Sequence, residues 1–342
     1  MTRAKLTIGC LLCAGLTGCG GRAQPAPEAT TAAEAPAPAV VETSPTIEAT
    51  RPAPPVVTPE KLPVEHLPNA YRITSMVISG GLPDGEAGFQ ELEDLGVKTV
   101  ISVDGMEPDV ETARLHGMRY VHLPHGYDGV PSQRGHELAK ALRELPGPIY
   151  IHCHHGKHRS PAATAVACVE AGLISQESAE IILKTAGTGE NYQGLYRSAR
   201  DAGALDSAFL DGLKVEFVEV ATIPPLADAM VALEHTHDHI KQIAAAEWQA
   251  PTKHPDLQPA HEALLLKEHF AEMLRMDAVA IKPEPFREYL RTSETAAQDL
   301  ETALTQSPPA LDAAKTALDT VNANCAACHR EFRDNATVQS AH

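Results

Sequence analysis

The chain has 342 residues, room for two ordinary domains and flanking segments. Its 28 basic and 45 acidic residues leave a formal charge of -17, which excludes a nucleic-acid partner bound through a broad basic face. A small anion held in a local pocket stays compatible with that charge.

At the N-terminus, Arg3 and Lys5 precede the apolar stretch LTIGCLLCAGLTGC, which is too short for a permanent membrane span. The stretch ends in Leu16-Thr17-Gly18-Cys19, which resembles a bacterial lipobox. The resemblance implies that residues 1–19 are a lipoprotein signal peptide and that the Cys19 thiol carries lipid; the alternative is a plain signal peptide with an incidental Cys. Lipid there would hold the protein on a bacterial membrane in the periplasm or another extracytoplasmic space. Residues 20–65 contain ten of the 27 prolines and almost no large apolar side chains, so they are expected to form an extended, disordered tether. Cys10, Cys13 and Cys19 belong to the export segment. The body keeps Cys153, Cys168, Cys325 and Cys328, too few for a disulfide scaffold in an exported protein.

From residue 66 the pattern alternates strand and helix. YRITSMVISGG is rich in β-formers and ends in glycines, while GFQELEDLG places Phe89, Leu92 and Leu95 on one helical face and stops at Gly96. VKTVISV reads as a short buried strand, ETARLHG as a helix and RYVHL as another strand. SQRGHELAKALREL is a helix that Ser132 could cap, and PIYIH is a further strand. This alternation predicts an α/β domain over 66–213, with a mostly parallel sheet, helices on both faces and a ligand site beyond the carboxyl ends of the strands.

CHHGKHRS lies at such an end. Gly156 permits a tight turn, and Ser160 before Pro161 reads as an N-cap followed by Pro at the first helical position. A strand feeding a tight loop and then a helix N-terminus is a common way to cradle an anion on backbone N–H groups. Arg159 adds a fork for phosphate oxygens, and the same positive field would favour the thiolate of Cys153, a nucleophile facing the bound phosphorus. A metal site is the competing reading. It lacks a second ligand pair in this domain, and His154 and His155, being adjacent, would point apart. A plain histidine-rich turn leaves the strand–Gly–Arg–Ser–Pro–helix order unexplained. Cys168, in ATAVACVEAG, reads as a small core residue rather than a redox partner of Cys153.

HCHHGKHRS fits the pattern HCxxGxxR[ST]. With the upstream half of the domain, it resembles the cysteine-dependent tyrosine and dual-specificity phosphatases, and most nearly their compact, atypical dual-specificity group. The resemblance implies that Cys153 attacks phosphorus to form a phosphocysteine and that Arg159 holds the equatorial oxygens. It further implies that Ser160 hydrogen-bonds the departing thiolate and that His152 shapes the loop from behind. The chain departs from the group at the general acid, an Asp usually about thirty residues ahead of the Cys. Asp128, in HGYDGVPS, stands only 25 residues ahead of Cys153. Its place between a strand and a helix suits a mobile acid loop, although beside Gly129 it would also make a simple turn former. Asp104, ending VISVDG, is the reserve.

Over residues 214–342 the alternation gives way to helical periodicity, with segments near 224–248, 257–281, 284–306 and 308–334 separated by Pro-containing breaks; this predicts an all-α four-helix bundle. In the last helix Leu311, Ala314, Leu318, Val321, Cys325, Cys328 and Phe332 form one stripe. Cys325 and Cys328 are followed by His329 in CAACH, the attachment pentapeptide for haem c, with His329 as an iron ligand. A zinc site would need two more ligands, and a redox dithiol would not need the His. CAACHREFR resembles the CxxCHxxFR segment of the four-helix class II, c-prime type, cytochromes c. On the facing first helix, Leu226, Met230, Leu233, His237, Ile240 and Ala244 share a stripe, so the sixth iron position falls to Met230, to an open site or to His237; Met230 as plain core packing is the remaining alternative.

Together these readings describe a multidomain chain: a lipid-anchored extracytoplasmic phosphatase acting on phosphorylated protein or small phosphoesters, fused to a haem c-binding bundle. The alternative is an electron-transfer or gas-binding cytochrome with its own redox partner, whose phosphatase-like domain only binds anions.

Overall fold

The structure, a computed structural model, describes residues 53–334; Cys19 and the tether up to residue 52 lie outside them. A short edge strand β1 (Glu60–Lys61) leads to β2 (Tyr71–Thr74), β3 (Val77–Gly80), α1 (Gly85–Asp94), β4 (Thr99–Ser102) and α2 (Val110–Leu115). Next come β5 (Arg119–His122), α3 (Ser132–Glu144), β6 (Ile149–His152) and α4 (Arg159–Glu170). Helices α5 (Gln176–Ala186), α6 (Gln193–Asp201) and α7 (Ser207–Gly212) complete the α/β unit.

The six strands form one sheet in the order β1-β2-β3-β6-β4-β5. Strands β3, β6, β4 and β5 run parallel, and β1 and β2 extend the β3 edge antiparallel. Because side chains alternate across a strand, Ile149 and Ile151 pack with α4 and α5 on one face, whereas Tyr150 joins Phe89 and Leu92 on the other. The expected helices on both faces are therefore present, and β6 sits between β3 and β4 with its carboxyl end at the centre of the sheet edge.

Three boundaries differ from the sequence reading. YRITSMVISGG is a hairpin, not a single strand, turning where Met76 N donates to Thr74 Oγ1 at 3.2 Å. The α/β unit reaches back past residue 66: Ser175 N donates to Pro55 O at 2.8 Å, Val57 N donates to Ser178 Oγ at 2.8 Å, and Leu62 is buried. It also runs beyond 213, because His122 N donates to Val218 O at 2.9 Å and Ala221 N donates to His122 Nδ1 at 3.1 Å, laying the connecting segment along the exposed edge of β5. Ser132 caps nothing: it opens α3 behind Pro131, and its Oγ lies 3.3 Å from His136 Nε2.

The remaining helices are α8 (Pro225–Ala245), α9 (Pro259–Arg275), the single-turn α10 (Asp277–Ala280), α11 (Glu284–Thr305) and α12 (Leu311–Phe332). Prolines stand in the first turns of α8, α9 and α11, where the missing N–H costs no helical bond. The four long helices share one apolar cluster through Leu233, Ile240, Leu266, Phe270, Leu290, Ala297, Leu300 and Val321. Neighbours α8–α9, α9–α11 and α11–α12 pack closely, whereas α8 and α12 face each other more loosely across a 2.7 Å bond between His237 Nε2 and Asn322 Oδ1. Leu311, expected on the core stripe, is 42% exposed because it opens α12 at the solvent end. No helix among the described residues is long and apolar enough to cross a membrane.

Candidate active site

Strand β6 delivers Cys153 to the carboxyl edge of the sheet, and the chain passes through residues 153–158 into α4. The carbonyl groups of this loop are held from outside. His154 O accepts from Leu82 N at 3.0 Å, Gly156 O from Asn69 Nδ2 at 2.9 Å, and Lys157 O from Thr188 Oγ1 at 2.6 Å. The N–H groups of residues 154–160 find no backbone acceptor among the described residues. A loop with its carbonyls turned out and its amides turned in, ahead of a helix N-terminus, attracts anions. Gly156 makes this possible: its φ is +70°, and a Cβ there would lie 2.5 Å from the Gly80 and Gly81 backbone.

The N-terminus of α4 differs from expectation. His158 occupies the cap position without a side-chain cap bond, Arg159 is the first helical residue, and Ser160 and Pro161 follow inside the helix. The Ser160 hydroxyl is thereby directed into the loop: Cys153 Sγ donates to Ser160 Oγ at 3.4 Å, and Ser160 Oγ donates to Gly80 O at 2.8 Å. Arg159 is buried, and its Nε has no hydrogen-bond partner. Burial works against its charge, but Tyr127, Cys153 and Asp104 hold its pKa above the ordinary arginine value. His152 lies behind the loop, with Nε2 2.6 Å from the Tyr120 hydroxyl; burial pushes its pKa down to about 4, so the ring is neutral. Cys168 is fully buried, and burial pushes its thiol up to about 12, as suits a core residue.

The two acid candidates occupy different surroundings. Asp104 is fully buried; its Oδ1 accepts from Met106 N at 2.7 Å and its Oδ2 has no hydrogen-bond partner. Asp128 is half-buried on the loop between β5 and α3. That loop rests against α6, where a Cβ on Gly194 would collide with the Asp128 carbonyl. Tyr127, the residue before Asp128, places its ring 4.4 Å from the Arg159 guanidinium, so the loop that carries Asp128 borders Arg159.

Two side chains at this mouth escape the sequence reading. Tyr127 is one; its only signal is adjacency to Asp128. The other is Arg333 at the end of α12, which the sequence places only in the CAACHREFR segment; its guanidinium lies 4.0 Å from the centre of the same Tyr127 ring, so the end of α12 packs against the loop that carries Asp128. Asn191 Nδ2 donates to Asp334 Oδ2 at 3.3 Å beside it.

In the bundle, Cys328 is buried in the shared apolar cluster, with Cys325, Phe332 and Met230 packed against it. Burial pushes the Cys325 thiol up and the Cys328 thiol up to about 11. Burial, with Arg333 adding to it, lowers His329 to about 3, leaving its imidazole neutral. Two thiols and a neutral imidazole on one helix fit the donor set of a covalently held haem. His237 instead engages Asn322.

No known family model matches this sequence, and no curated protein matches it. Solved structures do resemble it. TpbA from P. aeruginosa is 23% identical, with 46% of this chain and 91% of that chain covered and a TM-score of 0.35. A complex of TpbA with phosphotyrosine is 21% identical over 46% of this chain and 94% of that one, with a TM-score of 0.37. PTPMT1 is 20% identical over 39% of this chain and 95% of that one, with a TM-score of 0.32. Each likeness leaves more than half of this chain outside it.

Proposed function

We propose that the chain is a lipid-anchored, extracytoplasmic phosphatase that hydrolyses phosphate monoesters through a phosphocysteine, fused to a haem c-binding bundle. The carrying observation is the Cys153–Ser160–Gly80 hydrogen-bond chain under an amide-lined loop that also presents the buried, partner-free Nε of Arg159. A module that only binds anions has no use for a thiol in that place.

The chemistry follows from those positions. The Cys153 thiolate attacks phosphorus, the S–P bond forms as the ester P–O bond breaks, and Asp128 gives its proton to the departing alcohol oxygen. Arg159 and the loop amides hold the equatorial oxygens, whose charge is greatest between substrate and intermediate. Water then attacks phosphorus, Asp128 takes its proton, and the S–P bond breaks while Ser160 donates to the returning thiolate. Inorganic phosphate leaves, and the site is restored.

The test is hydrolysis of a phosphoester panel by the purified chain under reducing conditions. Asp128→Asn is expected to slow esters with poor leaving groups by about 10²-fold or more while sparing those with good leaving groups, because a stable leaving anion needs no proton. Equal slowing across the series would remove Asp128 from the acid role and leave Asp104 to be tested the same way. No hydrolysis of any ester would favour the anion-binding cytochrome.

In the bundle, Cys325 and Cys328 would hold haem c through thioethers, with His329, and Met230 of α8, as the side chains that would ligate its iron. When bound, the haem would supply one-electron chemistry or a position for a small gas. Attachment of thioether haem suits an exported chain, and Cys19 would carry the anchor. Mass spectrometry of the mature protein is expected to find an N-terminal, lipid-modified Cys19; an intact N-terminus or an unmodified Cys19 would refute the anchor.

A further inference from the structure

Adjacent residues on a strand point apart, and His154 and His155 carry that expectation into the phosphate loop. The tight turn before Gly156 reverses it. Their ring centroids lie 4.3 Å apart, nearly perpendicular to one another. A third ligand is supplied from outside the α/β unit: Glu234, on α8, brings its carboxylate to the same spot, and one donor atom from each of His154, His155 and Glu234 lies within 4.8 Å of the others. The orientation of His154 suits this meeting. Its Nδ1 faces the Met106 sulfur at 3.2 Å, and its Nε2 faces Asp238, one turn along α8, at 3.8 Å. His235, on the same helix, sets its ring 6.4 Å from that of His154.

We propose that His154, His155 and Glu234 form a transition-metal site, of the zinc class, that ties the phosphate loop to α8. Two imidazoles and one carboxylate are the protein ligands of many open tetrahedral zinc sites, and the imidazoles select against calcium and magnesium. Metal–ligand bonds of about 2.0–2.1 Å place tetrahedral donors about 3.3 Å apart. The donors here must therefore close by at most about 1.5 Å. His155 and Glu234 are exposed, so their side chains can rotate to do so without disturbing a core. The fourth position is left to water or to Asp238. The ion takes no part in the displacement at phosphorus; it joins the loop that holds Cys153 to the helix that carries Met230, and so makes the two halves of the chain a single unit in its presence. The site rests on geometry alone and stands whether or not the loop hydrolyses esters.

The experiment is calorimetric titration of the untagged full chain with Zn²⁺, paired with the visible spectrum of its Co²⁺ form. One equivalent is expected to bind with nitrogen and oxygen ligation and no thiolate charge-transfer band. Glu234→Gln and His155→Asn are each expected to weaken binding by at least about tenfold. Replacing Cys325 and Cys328 by Ser removes the thiol pair on α12 that could compete for the ion, and it is expected to leave this binding in place. Glu234→Gln changes an exposed side chain on a helix distant from Cys153 in sequence, so it remains informative if His155→Asn fails to fold. Wild-type affinity in Glu234→Gln, or loss of binding only in the Cys325 and Cys328 variant, would overturn the site.

Discussion

Cys153→Ser is expected to lower phosphomonoester turnover by a factor on the order of 10⁴ or more, the scale left when a covalent nucleophile is removed and only binding and electrostatics remain. The substitution exchanges one small atom in a buried position, so the loop and its hydrogen bonds to Ser160 and Gly80 should survive. Binding of inorganic phosphate is then expected to persist, which separates lost chemistry from lost structure. Arg159→Lys should cost about 10²- to 10³-fold in kcat, because an ammonium cannot reproduce the planar fork that meets two equatorial oxygens. It should also loosen Tyr127, which stacks on the guanidinium. Rapid-quench trapping of a phosphoenzyme in the wild type and its absence in Cys153→Ser would establish the intermediate. Turnover by the Ser variant at the wild-type rate would exclude the thiol as nucleophile.

The loop was legible in the sequence because its chemistry is compressed into nine consecutive residues, HCHHGKHRS, whose order is dictated by one strand end and one helix start. The same compression misled at Ser160. Ser followed by Pro has the composition of a cap, but the hydroxyl is used by Cys153 and Gly80, and the helix starts two residues earlier. Rules for local propensity see the dipeptide and not the competing tertiary partner. Residues 53–65 show a related failure. Their prolines suggest a tether, yet Val57 and Leu62 pack onto the domain, and a two-residue strand needs no period for a sequence pattern to reveal. Tyr127, Arg333 and Glu234 were least legible. Helical periodicity says which face of α8 or α12 is apolar, but not which loop of another domain meets the helix ends. Arg333 reads only as the last residue of CAACHREFR, and Glu234 lies off the apolar stripe of α8, so neither points to the other domain.

The full chain, co-expressed with haem-attachment machinery, is expected to carry one covalent haem, and Ser at Cys325 and Cys328 should abolish it. The expectation follows from burial on α12. Cys328 lies inside the apolar cluster and Cys325 packs against it, so a porphyrin joined to both would be held against the interior of the bundle. His329 follows directly, and burial holds its imidazole neutral. Met230, from α8, packs against the same cluster and is the side chain proposed to meet the opposite face of the iron. If it does, the ferric protein should be low-spin with a thioether–iron charge-transfer band, and Met230→Ala should remove that band while leaving the covalent haem in place. A high-spin wild-type spectrum would reject Met230 as a ligand and favour an open position for a small gas. Loss of low-spin character in His237→Ala, with Met230→Ala unaffected, would move the ligand one turn or more along α8 and require the His237–Asn322 bond to break. A chain that takes up no covalent haem under these conditions would end the cytochrome reading and leave Cys325, Cys328 and His329 as an ordinary stretch of helix.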